Sequence, residues 1–291
     1  MHIEPTTRCT LECPACPRTW FSQKFNRTFP KQDLDLDALW TFLNCESGNA
    51  ISKMTLCGNH GDPIYYPQLF ELLNKFRDSK SYHIVTNGSY QKKDFWLELK
   101  DLLGPNDTIT FSIDGLEHNN HLYRKNSDWQ SIMQGLDIMV NGAAKVVWST
   151  IVFSYNQNEL GQIKQFAVDR GAEFVSVKSS RFGIESLQPQ QSLIDTTKLY
   201  SSIKNKTIIE PRCRSEEYVS ADGFYFPCCY ISTYYTLHST SLWRNRQQWN
   251  IANQNLDSAR IKLDQWIGNI LNDPSSAHSV CKMQCGKIVD Q

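Results

Sequence analysis

Three cysteines, Cys9, Cys13 and Cys16, fall within "CTLECPACPR" in the spacing C-x3-C-x2-C. Thiols clustered this way in a reducing compartment point to metal or redox chemistry rather than to disulfides. A structural zinc site closes with four ligands in a tetrahedron, and this stretch supplies three. A [4Fe–4S] cluster has four irons, so three cysteines leave one iron open. An open iron can take an amine and a carboxylate together, as at the methionine end of S-adenosylmethionine. A zinc knuckle or an unligated trio is the alternative for these residues.

A second group lies far along the chain. Cys213, Cys228 and Cys229 are arranged C-x14-C-C, and Cys281 and Cys285 follow as C-x3-C. Four thiolates complete either an iron–sulfur cluster or a zinc site, because both metals accept the same ligand. All five of these cysteines are candidates.

The elements that must position these residues follow a simple rhythm. Strand patterns appear at "MHIEPT", "SKMTLCG", "YHIVTNG", "TITFSIDG", "KVVWSTIVFS" and "EFVSVKSS". Between them, "LDALWTFLNC", "PQLFELLNKFRDS", "KKDFWLELKDLL", "DWQSIMQGLDIMVNG" and "NELGQIKQFAVDRG" carry apolar residues at helical spacing. Alternating strands and helices predict a parallel α/β sheet. Ligands of such sheets bind at the carboxyl ends of the strands. "CGNHGDP", "TNG" and "SIDG" all stand at such ends, as does the first cysteine loop. Trp40, Trp96, Trp129 and Trp148 fall in periodic apolar segments and are expected in the core. Cys45 is expected to be buried in a helix, Cys57 to line the mouth, and His60 to be exposed. Residues 183–207 read as a linker. Residues 208–291 add a hairpin turning at "ADG", two helical stretches and the last two cysteines.

The cysteine motif after the first strand resembles that of the radical SAM enzymes. The resemblance covers residues 1–182 and continues beyond them. It implies a partial (β/α)6 TIM-like barrel over 1–182. There Cys9, Cys13 and Cys16 would hold the cluster that binds S-adenosylmethionine. An electron would enter, the cofactor would be cleaved, and a 5′-deoxyadenosyl radical would take hydrogen from the substrate. The cofactor carries such chemistry; the protein binds and orients it. Many members have an aromatic residue before the third cysteine. Here it is Ala15, as in the subset that reads C-P-x-C-P, so no stacking role is expected there.

"CGNHGDP" is similar to the family's segment that holds the amino group of the cofactor, which implies roles for Gly61 and Asp62. Similarity also implies that Asn87, Ser112, Asp114 and Arg124 lie near the cofactor. Arg124 could instead be a surface ion pair. Asn156 could reach the ribose or cap a helix. The second cysteine group, read as C-x9-G-x4-C with Gly223, resembles the SPASM and twitch extensions. That implies a small α+β cysteine-rich domain over 208–291 with an auxiliary [4Fe–4S] cluster in electron transfer, held by Cys213, Cys228, Cys281 and Cys285, with Cys229 spare or an alternative. A zinc site remains the alternative.

Composition narrows the partners. The chain has 291 residues, 30 basic and 30 acidic, so its formal charge is zero. A broad electrostatic grip on nucleic acid needs a basic face, and none is visible. Neither an apolar run of about eighteen residues nor a signal layout is present. A cytoplasmic location and no membrane partner are therefore expected, with the 10 cysteines reduced. The expected partners are S-adenosylmethionine, an electron donor such as flavodoxin or ferredoxin, and the substrate. Peptide or protein modification is the first reading of function. Peptide-modifying relatives often carry a leader-binding domain before the barrel, and only eight residues precede Cys9 here, which weakens that reading unless a separate protein binds the leader or the substrate lacks one. A sugar or cyclitol alcohol dehydrogenase is the alternative. A non-catalytic iron–sulfur or zinc protein is the remote one. Glu185, Asp195 and Tyr230 are unranked candidates for moving a proton.

Overall fold

The computed structural model describes residues 1–180, 184–195, 208–232 and 245–287. The chain forms two compact units, each discontinuous in sequence. One holds Pro5–Asp33 and Lys53–Ile194. The other holds Met1–Glu4, Leu34–Ser52 and Asp195–Gln291. The sequence reading instead divides the chain in linear order, at 182 and 208. The expected linker at 183–207 is described only over 184–195, where two short 3-10 turns form at Glu185–Leu187 and Gln191–Leu193.

The six expected strands all form. They are β1 (His2–Ile3), β2 (Lys53–Leu56), β3 (Ser81–Thr86), β4 (Thr108–Ser112), β5 (Lys145–Ile151) and β6 (Glu173–Val177). In the first unit β2 to β6 pair in chain order, every pair parallel. The crossovers are α4 (Leu69–Phe76), α5 (Lys93–Leu102), α6 (Trp129–Met139) and α7 (Leu160–Asp169). Their numbering follows α1 (Pro17–Phe25), α2 (Leu36–Leu43) and α3 (Glu46–Asn49). Helix α4 shows the rule they obey. Its Leu69, Leu72, Leu73 and Phe76 share one face and all are buried. Helix α6 begins where the Asp128 carboxylate accepts from the amides of Gln130 and Ser131, at 3.1 and 3.2 Å.

One seam of this unit is unusually close. Trp96 of α5 is fully buried and lies 5.4 Å from the Phe111 ring of β4. A β-carbon at Gly135 of α6 would come within 2.5 Å of the Trp96 ring. Only a glycine lets α6 approach the indole that closely.

In the second unit β1 pairs in parallel with β8 (Tyr218–Val219), and β8 pairs antiparallel with β9 (Tyr225–Phe226). The expected hairpin is thus present, with Gly223 at its turn at φ +78°. A two-stranded pair joins β7 (Ile208–Ile209) to β10 (Gly286–Lys287). Helix α8 (Leu256–Asn272) starts at Asn255, whose side chain accepts from the Ser258 amide at 3.0 Å. Helix α9 (Ser279–Cys285) carries the last two cysteines. The buried Glu217 carboxylate accepts from Arg260 at 2.7 Å and from the Tyr225 hydroxyl at 2.8 Å. The mostly parallel sheet with covering helices and a cysteine-rich second unit is the α/β class expected.

Three sequence expectations are corrected. Trp40 is 40% exposed, because it points off the apolar face that Leu36, Leu39 and Leu43 bury. Cys45 is half-buried and caps α3 rather than sitting inside a helix. His60 is buried and stacks on Phe29 with ring centres 4.7 Å apart.

The Trp96 seam gives a test of packing. Trp96→Ala should cost about 3–5 kcal/mol in urea unfolding. A loss under about 1 kcal/mol would show that the seam collapses freely around the missing ring.

Candidate functional site

The first cysteine loop runs from Cys9 into α1, whose first residue is Pro17. Proline is tolerated at that position because its missing amide hydrogen would have no helical partner there. The loop is tightened where the Cys16 amide donates to the Cys13 carbonyl at 3.0 Å. Arg18 holds it from behind by donating to the Leu11 carbonyl. Cys13 is buried with Leu11, Tyr123, Phe153 and Leu187, while Cys9 and Cys16 are half-buried against the same cluster.

Two hydrogen-bonded networks reach this loop. The first comes from the ends of β2 and β3. Gly61 passes so close to Thr6 that a β-carbon there would lie 1.8 Å from the Thr6 carbonyl oxygen. The next amide, that of Asp62, donates to the Arg8 carbonyl at 2.8 Å. The Asp62 carboxylate is buried and turned inward. One oxygen accepts from the Ile64 amide at 3.2 Å. The other accepts from the Asn87 backbone amide at 2.6 Å and from the Asn87 side-chain amide. Burial pushes this carboxyl up to about 6, against the opposing pull of those amide bonds and of the Arg124 charge. The Asn87 amide nitrogen also donates to Cys9 Sγ at 3.6 Å. Asp62 therefore acts on the cysteine loop through Asn87.

The second network comes from the ends of β4 and β5. Asp114 is fully buried and accepts from Arg124 Nε at 2.6 Å and from the Ile151 amide at 2.7 Å. The Asp114 amide donates to Asn120 Oδ1 at 2.9 Å. Asn156, also fully buried, donates to the carbonyls of Asp114 and Ile151 at 2.7 and 2.9 Å. Its own oxygen accepts from the Phe153 amide at 2.7 Å. Asn156 thus braces two loops, and α7 is flanked instead by Glu159. Arg124 is neither at the surface nor alone. Burial would lower its hold on its proton, but the charges of Asp114 and Cys13 reverse this and raise it. For Cys13 burial raises the thiol, and the Arg124 charge opposes it. Cys9 is pushed up to about 12, first by burial and then by the Asp62 charge. Ser112 ends β4, half-buried, two residues before Asp114.

The sequence motifs therefore converge. Gly61, Asp62 and Asn87 meet Cys9, while Asp114, Arg124 and Asn156 meet behind Cys13. Asn120 escaped the sequence reading. Its signal was present in "HNNHLYR", since an asparagine near a strand end commonly bonds neighbouring backbone.

The second cysteine group gathers in its own unit. Cys213, Cys228, Cys281 and Cys285 line one cavity, with Arg212, Trp266 and Ile270 in its wall. Cys229 is not among the lining residues. Burial pushes Cys213 and Cys281 up to about 12 and Cys228 to about 11, and the Cys285 charge adds to each. Thiols held that high bind metal only by losing protons. Among the described residues no three His, Cys, Asp or Glu side chains are gathered tightly enough to hold a single metal ion. A cubane holds four metal atoms, so its cysteines stand further apart. The donor sets, three thiols on one loop and four around one cavity, fit clusters of that kind.

No protein-family profile and no curated protein matches the chain. Solved structures do. SuiB of Streptococcus suis, solved with its precursor peptide SuiA, superimposes with a TM-score of 0.64 at 13% identity, covering 97% of this chain and 70% of that one. The same protein with S-adenosylmethionine gives 0.63 at 13% identity, over 97% and 71%. Native anSMEcpe with bound AdoMet gives 0.60 at 14% identity, over 88% and 79%. These likenesses establish the fold. Among the described residues no helix is long and apolar enough to cross a membrane.

The Asp114–Arg124 pair can be tested alone. Asp114→Ala leaves a buried guanidinium without its counter-charge and should cost about 3–5 kcal/mol of stability. Asp114→Asn keeps an acceptor for the Ile151 amide and should cost less. Equal losses in urea melts would show that the retained acceptor contributes nothing and that the missing charge accounts for the whole effect.

Proposed function

We propose that this chain is a radical SAM enzyme that modifies a peptide or protein. The observation that carries the reading is the cysteine loop: three thiols on eight residues, one bonded by Asn87 and one beside Arg124, in a fold shared with AdoMet-bound proteins. When bound, a [4Fe–4S] cluster on Cys9, Cys13 and Cys16 supplies one-electron cleavage of S-adenosylmethionine to a 5′-deoxyadenosyl radical. The residues of the chain bind and orient. Asn87 donates toward Cys9 Sγ, stabilising it as a thiolate ligand. Asp62 fixes the Asn87 amide in that direction. The Arg124 charge lies near enough to Cys13 to favour its thiolate.

The cofactor would be held at the same strand ends. Asp114 occupies Nε of Arg124, which leaves its terminal nitrogens to meet a carboxylate. Gly61 permits close backbone approach, and Ser112 offers a hydroxyl at the mouth. Asn156 and Asp114 tie the loops together rather than gripping the ligand. Asp62 likewise works through Asn87 rather than by a free oxygen.

Cys213, Cys228, Cys281 and Cys285 would hold an auxiliary [4Fe–4S] cluster that takes an electron from the substrate. Four thiols around one cavity support full ligation, which favours electron transfer over substrate binding. Reducing equivalents would come from a flavodoxin or ferredoxin. The peptide class is favoured by the likeness to SuiB, which was solved holding its precursor peptide.

Anaerobically reconstituted protein should bind about eight irons, as two clusters. A C9A/C13A/C16A variant should keep about four and lose reductive cleavage of S-adenosylmethionine. A C281A/C285A variant should still make 5′-deoxyadenosine but fail to complete substrate oxidation. Stoichiometric zinc in the second site would defeat the auxiliary-cluster assignment. Full product formation by a folded C281A/C285A variant would remove its electron-acceptor role.

A further inference from the structure

Within the first unit, a cleft of about 580 Å3 opens beside Cys9. That is the size of a ligand pocket. Its wall is built entirely from residues between Thr7 and Lys31. The wall is strongly positive. Arg18, Arg27 and Lys31 line it against the single carboxylate of Glu12. Arg8 also lines it, but Asp33 already neutralises that guanidinium with contacts at 2.6 to 3.0 Å. No carboxylate of the described residues pairs with Arg18, Arg27 or Lys31. Two lining side chains also have buried polar atoms without a partner, Arg18 Nε and Thr19 Oγ1. Both atoms are sealed from solvent, so a ligand in the cleft would meet the charged tips and not these atoms.

The cleft is furnished with aromatic support as well. Phe21 packs on Phe25 and Phe29 with ring centres 4.9 and 5.0 Å apart. The Arg27 guanidinium lies 5.1 Å over the Phe21 ring, which holds the charge in place. Arg18 is in the first turn of α1, while Arg27 and Lys31 lie beyond its end. Beyond the helix the chain folds back, with Arg27 over Phe21 and Gln32, the neighbour of Lys31, paired with Thr7. The three cations therefore share one cleft, and a cleft of this size has room for several carboxylates, which an acidic peptide segment presents together.

We propose that this cleft binds an acidic segment of the peptide substrate, with its carboxylates paired to Arg18, Arg27 and Lys31. The proposal deepens the reading of the chain as a peptide-modifying enzyme and rests on it. It adds a charge requirement: substrates carry several aspartates or glutamates close together.

The test uses the full chain with its clusters reconstituted and a fluorescein-labelled peptide of six glutamates, read by anisotropy. The peptide should bind, and binding should weaken steeply as salt rises. A six-glutamine peptide should not bind. Arg27 and Lys31 are both exposed, so reversing them leaves the core intact. An R27E/K31E variant should bind the glutamate peptide about tenfold more weakly or worse, with an unchanged melting temperature. Equal binding of the glutamine peptide, or unchanged affinity in R27E/K31E, would overturn the proposal. Displacement by inorganic phosphate as readily as by unlabelled peptide would also overturn it and leave a simple anion site. A ferredoxin that binds where the glutamate peptide does not would overturn it in favour of a protein surface. Cleavage of S-adenosylmethionine by the wild-type protein is measured separately. Wild-type protein that cleaves it but ignores the peptide refutes the cleft alone, whereas protein that never cleaves it refutes the enzyme reading.

Discussion

The buried pair of Asp114 and Arg124 is the constraint around which the candidate site is arranged. Taking two charges out of water costs several kcal/mol per ion in order of magnitude. That cost is offset only when geometry and extra hydrogen bonds are good. Here Asp114 takes Arg124 at one oxygen and the Ile151 amide at the other. One side chain thus ties the end of β4, the end of β5 and the arginine loop together. Asn120 and Asn156 lock its own backbone from both sides. The arrangement also leaves a positive charge beside Cys13, where burial alone would keep a thiol neutral. An arginine suits this place because it stays charged when buried, as a lysine does not.

Asp62 solves a related problem differently. It is buried without a cationic partner in contact, and its oxygens are satisfied by amides. Backbone amides are neutral, so they stabilise the carboxylate less completely, and burial raises its proton affinity. The reward is direction. The Asn87 side chain is pinned by one contact and aims its remaining hydrogen at Cys9. Metal ligands are commonly oriented by such outer partners.

Much of this was legible in the sequence, and the boundary of legibility has physical causes. The cysteine trio is local, so its spacing alone marks it as a candidate site. Helices α4 to α7 are legible because each buries one face against a sheet. Helix α1 was not read, because "PRTWFSQKF" mixes exposed Trp20 and Phe25 with the buried Phe21 and shows little periodicity. The pairing of β1 with β8 could not be read either. Two-residue strands more than two hundred positions apart leave no pattern. The motif residues Asp62, Arg124 and Asn156 were found, but their direction was not. A sequence shows that a polar residue sits at a strand end; only the fold shows which partners its hydrogen bonds already have. His60 was misjudged for the same reason, since nothing local announces the Phe29 ring against it.

The two cysteine groups also differ in what a bound cluster must do for the fold. The first lies on eight consecutive residues, closed by Cys16 to Cys13 and tied by Asn87. Its shape is fixed by neighbours in sequence and by networks that exist without metal. The second draws Cys213, Cys228, Cys281 and Cys285 from three separate stretches. Joining distant segments costs loop-closure entropy that grows with the chain between them. Among the described residues, these stretches are joined by the two-residue pairing of β7 with β10, the bond from the Glu210 amide to the Cys285 carbonyl at 2.9 Å, that from Arg212 to the Gln284 carbonyl at 3.2 Å, and the packing of Ile231, Ile270 and Val280. A metal centre binding all four thiolates would add its binding energy directly to that closure. The first loop is therefore shaped by bonds that exist without metal, whereas at the second a bound metal centre would help to bring the segments together.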